Sequence, residues 1–170
     1  MQRKIGTMND FITVTGYQPG IIGRVTELHA LYYSLEWNFG SIFETKVATE
    51  LSSFISRYDE SKDCIWSLII DGTLEGSITI DSSSEDSNIA HLRWFIVSDK
   101  IKGIGAGKHL MSKAIDFCNL LSFNKVYLWT FQGLEPAKYL YQKFGFKLVE
   151  ELNGSQWGTT VTEQKYELKI

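Results

Sequence analysis

The segment Lys102-Gly103-Ile104-Gly105-Ala106-Gly107-Lys108 sets three glycines between two lysines. Glycine lets a backbone approach a ligand closely and take φ > 0. An apolar run, Leu92 to Val97, precedes the segment and an amphipathic stretch follows it. A strand, a bare turn and a helix start together hold phosphate, because the first amides of a helix are unpaired and carry the positive end of its dipole. Lys102 and Lys108 add charge, and a charge-assisted contact contributes about 1.5–3 kcal/mol. The nucleoside-triphosphate pattern G-x-x-x-x-G-K-[ST] fails, since Lys102 stands where its first glycine belongs and His109 follows Lys108. The dinucleotide spacing G-x-G-x-x-G fails as well. Glycines in a tight strand-to-helix turn with no ligand give the same pattern.

Other residues invite chemistry, each with a structural counterpart. Arg93 interrupts an apolar run, where an unpaired guanidinium is costly. It can hold a substrate carboxylate or pair with a structural acid. His29 lies on an apolar helical stripe, as a base or as a hydrogen-bonded core residue. Glu163 alternates with Val161, which gives an inward carboxylate or a solvated edge. Glu36 and His91 are further base candidates. Tyr32, Tyr33, Trp37 and Phe39 crowd one helix end, where they form an aromatic wall for an amine or simply pack. Trp129 and Trp157 carry the same ambiguity. Cys64 and Cys118 sit in apolar contexts, as two buried thiols rather than a metal or disulfide framework.

The elements that must position these residues follow from periodicity. Phe11 to Tyr17 alternates as a strand, and Gln18-Pro19-Gly20 turns the chain. Helical spacing runs from Ile21 to about Trp37, and again from Phe43 to Tyr58. Strands are expected at Ile65 to Ile70 and Leu74 to Ile80, joined by the hairpin signal Asp71-Gly72. A serine-rich loop separates them from a strand at Ile89 to Val97. A helix from Gly105 to Leu121, a strand at Val126 to Thr130, a helix ending before Gly145, and strands at Phe146 to Leu152 and Val161 to Leu168 complete the chain. The order β-α-α-β-β-β-α-β-α-β-β indicates an α/β or α+β domain with a largely antiparallel first half.

The 170 residues suit one domain at 11–170 behind a short tail at 1–10. A net charge of −3 with interspersed signs argues against a dedicated nucleic-acid surface. No run approaches the ~18 apolar residues a bilayer crossing needs. Residues 1–10 show no apolar signal core, so the expectation is a cytoplasmic protein without a membrane partner.

Lys102 to Gly107 matches [Q/R]-x-x-G-x-[G/A] with lysine in first place, the pyrophosphate loop of the GCN5-related N-acetyltransferases (GNAT). Phe95-Ile96-Val97 precedes it in register. Leu134-Glu135-Pro136-Ala137-Lys138-Tyr139-Leu140-Tyr141-Gln142-Lys143-Phe144-Gly145-Phe146 resembles the family's downstream helix N-x-x-A-x-x-L-Y-x-x-x-G-F. The chain thus resembles that family over roughly residues 12 to 168. It looks closest to a bacterial subgroup often fused behind winged-helix regulators of the multiple-antibiotic-resistance type. Leu92-Arg93-Trp94-Phe95, Leu128-Trp129-Thr130, Leu148-Val149-Glu150-Glu151 and Trp157-Gly158 carry that likeness.

The resemblance implies a mixed, mostly antiparallel central sheet flanked by helices. It implies acetyl-coenzyme A as donor, no metal, and a small-molecule or peptide amine as acceptor. Phe95, Ile96 and Val97 would lie along the pantetheine arm between parted strands. Lys102, Gly103, Ile104, Gly105, Ala106, Gly107 and Lys108 would hold the diphosphate, with Leu134, Ala137 and Tyr141 contributing from the next helix. Tyr141 matches the family's proton donor to the leaving thiolate, and a phenol near pKa 10 suits a thiol near 8.5. The residues themselves put Glu163 forward as base beside His29, Glu36 and His91, with relay by water or a substrate that arrives neutral as alternatives, and His29, Tyr32, Trp37, Arg93 and Trp129 as acceptor contacts. Three departures stand out: Lys102 for Arg or Gln, Asp99 for proline, and Leu134 for an asparagine that bonds the pantetheine arm. A coenzyme A-binding regulatory module without turnover is the alternative. Family members often dimerise, so a second copy is an expected partner.

Overall fold

A computed structural model describes residues 11–170; the expected tail at 1–10 lies outside them. Strands β1 (Ile12–Thr15), β2 (Cys64–Ile70), β3 (Thr73–Asp81), β4 (Ile89–Val97), β5 (Lys125–Phe131), β6 (Lys147–Gly154) and β7 (Val161–Lys169) form one sheet, ordered β1-β2-β3-β4-β5-β7-β6. All neighbours are antiparallel except β4 and β5. Helices α1 (Ile21–Trp37) and α2 (Ser41–Ser56) cover one face, and α3 (Ala106–Leu120) and α4 (Glu135–Lys143) the other. Expected and observed elements agree to within a few residues. Asp71 and Gly72 both take φ > 0, as a two-residue hairpin of the favoured twist requires.

Each helix is held by the stripe its sequence shows. Ile21, Val25 and Leu28 of α1 pack with Phe43, Val47, Leu51 and Phe54 of α2. On the opposite face Ala106, Leu110, Met111, Ala114 and Cys118 of α3 pack on Leu68, Ile78 and Leu92. Burying a side chain such as Leu51 or Leu110 contributes about 1.5–3 kcal/mol. Cys64 and Cys118 are buried free thiols, and burial pushes each up to about 12.

Two irregularities in β4 shape everything that follows. The β3–β4 register shifts between Ser77 and Thr79, so Trp94 and Phe95 oppose one residue of β3. Trp94 takes φ 46°, an uncommon value for a bulky residue, and its carbonyl accepts the Ser77 hydroxyl at 3.0 Å. The extra residue reverses the alternation. Ala90 and Leu92 face α3, whereas Trp94 and Ile96 face α1 and α2, leaving Phe95 and Val97 towards α3. Secondly, β4 and β5 pair only at Ile89–Lys125, Ala90–Val126 and His91–Tyr127. Beyond that point β4 stays with β3 and β5 stays with β7, and the two strands part.

Candidate functional site

The parting of β4 from β5 opens a cavity of about 260 Å³. His91, Leu92, Arg93, Trp94 and Phe95 line one wall, Leu128, Trp129, Thr130 and Phe131 the other. His29 and Tyr33 of α1, Phe43, Lys46, Val47 and Glu50 of α2, Tyr141 of α4, and Gln156 and Trp157 of the β6–β7 loop complete it.

One end of the gap meets the glycine turn. A 3₁₀ turn, Asp99–Ile101, anchors through buried Ile101, and Lys100 pairs with buried Glu75 at 2.8 Å. Gly103 and Gly105 take φ 79° and 86°, which side chains rarely adopt. Gly105 caps α3, and the first helical turn carries no acidic residue. Gly107 packs close: a Cβ there would stand 3.4 Å from Phe95 and 3.5 Å from Leu140. The helix mouth is thereby drawn against β4 and α4, with Lys102, Gly103, Gly105 and Lys108 exposed around it. Lys102 pairs with Asp99, and its ammonium lies 4.9 Å over the Tyr32 ring. Unpaired amides, a dipole end and two lysines suit a diphosphate.

Tyr141 lies inside the cavity, with Phe95 at 6.3 Å and Tyr166 at 5.8 Å between ring centroids. Burial, with Tyr166 beside it, pushes its phenol well above the ordinary value. The Tyr33 phenol is raised for the same reason, with Tyr141 and Tyr32 as neighbours. Both are neutral donors at physiological pH.

His29 is buried and also lines the cavity. Its Nδ1–H donates to the Val25 carbonyl at 2.8 Å, which assigns the tautomer and leaves Nε2 as an acceptor. Burial, partly offset by that bond, lowers its pKa to about 4. His91 is lowered to about 3 by burial and the nearby Arg93, and stacks on Tyr127 at 4.3 Å.

Arg93 pairs with structural acids, as one of its two sequence readings has it, and it also lines the cavity. Nη1 donates to Asp81 at 3.3 Å, Nη2 reaches Glu50, and the guanidinium covers Trp94 at 4.2 Å. The bulge explains that stacking, because it turns consecutive residues to one face.

Several expected residues stand elsewhere. Glu163 lines no part of the cavity. Its carboxylate is buried against Gly154 and accepts the Gln156 amide N–H at 3.0 Å and Nε2–H at 2.8 Å. A carboxylate so engaged fixes the loop that presents Gln156, and the expectation of a base in contact with the amine is corrected accordingly. Leu134 is 8% exposed and packs with Phe131 and Trp94, so its side chain belongs to the core rather than to a ligand site. Ala137 is half-buried beside it. Tyr32 and Trp37 lie behind the cavity wall: Tyr32 stacks edge-on to Tyr33, and Trp37 packs on Phe131 and covers Gly133. Glu36 is exposed and outside the lining. Conversely, Lys46 and Glu50 enter the site without having been expected. Glu50 falls on the apolar stripe of α2, four residues before Phe54 and three after Val47, and a charge there was the available signal.

The match to known proteins follows the same geometry. Residues 24–146 match the model of the Acetyltransferase (GNAT) family, and the chain belongs to that family. It is 28% identical over 145 residues to N-acetylaspartate synthetase of Danio rerio, covering 85% of this chain and 49% of that protein. The chain therefore spans about half the length of that relative. Its fold matches a GNAT-family acetyltransferase from Staphylococcus aureus with a TM-score of 0.75 at 19% identity, covering 94% of this chain and 99% of that one. It also matches yncA from Salmonella typhimurium, solved with its cofactor acetyl-CoA, at TM-score 0.71 and 12% identity, covering 95% and 94%.

Among the described residues no helix is long and apolar enough to cross a membrane.

Proposed function

We propose that this chain transfers an acetyl group from acetyl-coenzyme A to a primary amine of a small molecule or peptide, by direct attack. The observation that carries this reading is the parting of β4 from β5, with the glycine turn at one end and Tyr141 inside. Acetyl-coenzyme A supplies an acyl thioester already activated for attack. Amides of the α3 mouth hold the diphosphate, and the edge of β4 left unpaired by β5 hydrogen-bonds the arm. A β4 amide beside the bulge polarises the thioester carbonyl, a preorganised donor of the kind that often dominates catalysis. His29 Nε2 accepts a hydrogen bond from the amine and orients it. A ring lowered to about 4 keeps only its Nδ1 proton at pH 7 and does not hold a second one, so the amine's proton leaves through water. As the N–C bond forms and the C–S bond breaks, Tyr141 gives its proton to the departing sulfur.

The relative's name makes an N-acetylated amino acid its product, which supports a small amine acceptor here. The subgroup likeness rests on short segments, of which Leu92 to Phe95, Leu128 to Thr130 and Trp157 line the cavity. An open cavity that reaches Tyr141 favours an enzyme over a coenzyme-binding module. Thiol release from acetyl-coenzyme A across an amine library tests the reading. Amine-dependent release supports it; saturable coenzyme A binding without release by any amine leaves the module.

A further inference from the structure

Lys46, Glu50 and Arg93 stand together in the cavity lining. They end a longer chain of charges that runs through Asp81 to Arg57 and Asp63. The buried end of that chain is fixed. Asp63 and Asp81 are each 1% exposed. Asp63 accepts the Asp59 and Ser82 amides, and Asp81 accepts the Ser83 amide. Oδ2 of Asp81 serves two guanidiniums, Arg57 at 2.7 Å and Arg93 at 3.3 Å. It therefore offsets Arg93 only in part. Glu50 supplies the rest, taking Arg93 on one oxygen and Lys46 on the other, the latter at 2.5 Å.

Glu50 differs from the other two acids. Its side chain is 35% exposed on a surface helix, and among the described residues its partners are those two cations alone. The cavity thus faces two cations, one of them rigid, and one movable carboxylate. We propose that Glu50 holds the place of an acceptor carboxylate, so that the acceptors are primary amines bearing a carboxylate group. This rests on the acetyltransferase reading above.

On binding, Glu50 turns outward and is rehydrated at little cost, being already one-third exposed. The incoming carboxylate takes Nη2 of Arg93 and the ammonium of Lys46. Arg93 needs no reordering, because Asp81 and the Trp94 ring already fix its plane. A cationic group placed there would instead bring a third positive charge beside two others. Arg93, Phe95 and Tyr141 all line the one cavity, although the bulge turns Arg93 and Phe95 to opposite faces of β4. A carboxylate held at Arg93 therefore keeps the amine in the space that Tyr141 faces.

The test is steady-state thiol release with matched acceptors, amino acids and their carboxamides, for the wild type, Glu50→Gln and Lys46→Met. The wild type is expected to use the acids at lower KM than the carboxamides. Glu50→Gln, which removes the internal competitor, should lower KM for the acids about five- to tenfold and move the carboxamides less than about twofold. Lys46→Met, at a position about one-third exposed on α2, should raise KM for the acids about tenfold only. If Glu50→Gln raises KM for acids and carboxamides alike, Glu50 binds the amine and the proposal is overturned. Equal KM values for acids and carboxamides in the wild type overturn it too, while the acetyltransferase reading stands. Failure of acetyl-coenzyme A to bind in calorimetry removes that reading itself, so the two failures are distinguishable.

Discussion

Tyr141 and Glu163 divide at the level of single groups: one has a neutral proton facing the cavity, the other has its oxygens taken. Tyr141→Phe keeps the ring packing against Phe95 and Tyr166 and removes only the hydroxyl. Turnover should fall about 10²-fold or more, with acetyl-coenzyme A affinity nearly unchanged. Equal turnover in a thiol-release assay would dismiss the proton donor. Glu163→Ala removes the acceptor of two Gln156 donors; Gln156 is exposed, so water replaces it at a net cost of about 0.5–1.5 kcal/mol. The expected outcome is a lower melting temperature and a higher acceptor KM, with the shape of the pH–rate profile preserved. Loss of the alkaline rise in that profile would restore Glu163 as a base.

The strand pair β4 and β5 and the turn after β4 do at the next scale what no single residue does. Hydrophobic periodicity located every strand and helix, because each element buries a face whose repeat is visible locally. It did not show the bulge at Trp94 and Phe95, because a run of apolar residues on both sides of a sheet hides a one-residue slip. Arg93 and Trp94 therefore share a face that strict alternation would deny them. Lys46 and Glu50 escaped for a related reason. Their role depends on how α2 lies across β4, a contact between segments some 45 residues apart that no local pattern encodes. Alternation leaves Glu163 open between an inward carboxylate and a solvated edge; it is buried, and its partner Gln156 sits in a loop without a period. The glycine turn was legible because its constraint is local. Gly105→Ala puts a side chain at φ 86°, a strain of about 1–2 kcal/mol. The dissociation constant for coenzyme A should rise about tenfold and the melting temperature should fall by a few degrees. Unchanged affinity would show that this turn is only a cap.

For the whole molecule, buried titratable groups set the response to acid. His29 is lowered to about 4 when folded and lies near 6.5 when unfolded. Below pH 6.5 the unfolded chain binds the proton and the folded chain does not. His91, lowered to about 3, adds to the same loss, so stability should fall as pH drops from 6.5 to 4 by on the order of 1 kcal/mol per pH unit from each histidine. Burial raises Asp81, but Arg57 and Ser83 outweigh it and hold its carboxyl below the usual range. Its contribution is complete above the unfolded carboxyl value and disappears only at lower pH still. Urea midpoints at pH 7, 5.5 and 4.5 check the slope, and His29→Gln should roughly halve it, leaving the share of His91. A midpoint independent of pH over that range would contradict the assigned burial of His29.

The most direct measurement is a crystal structure of the protein grown with coenzyme A. The account predicts the diphosphate on the amides between Gly103 and Lys108, the pantetheine arm between Phe95 and Trp129, and the sulfur next to the Tyr141 hydroxyl. Coenzyme A bound away from the gap between β4 and β5, or that gap closed over by its own side chains, would contradict it.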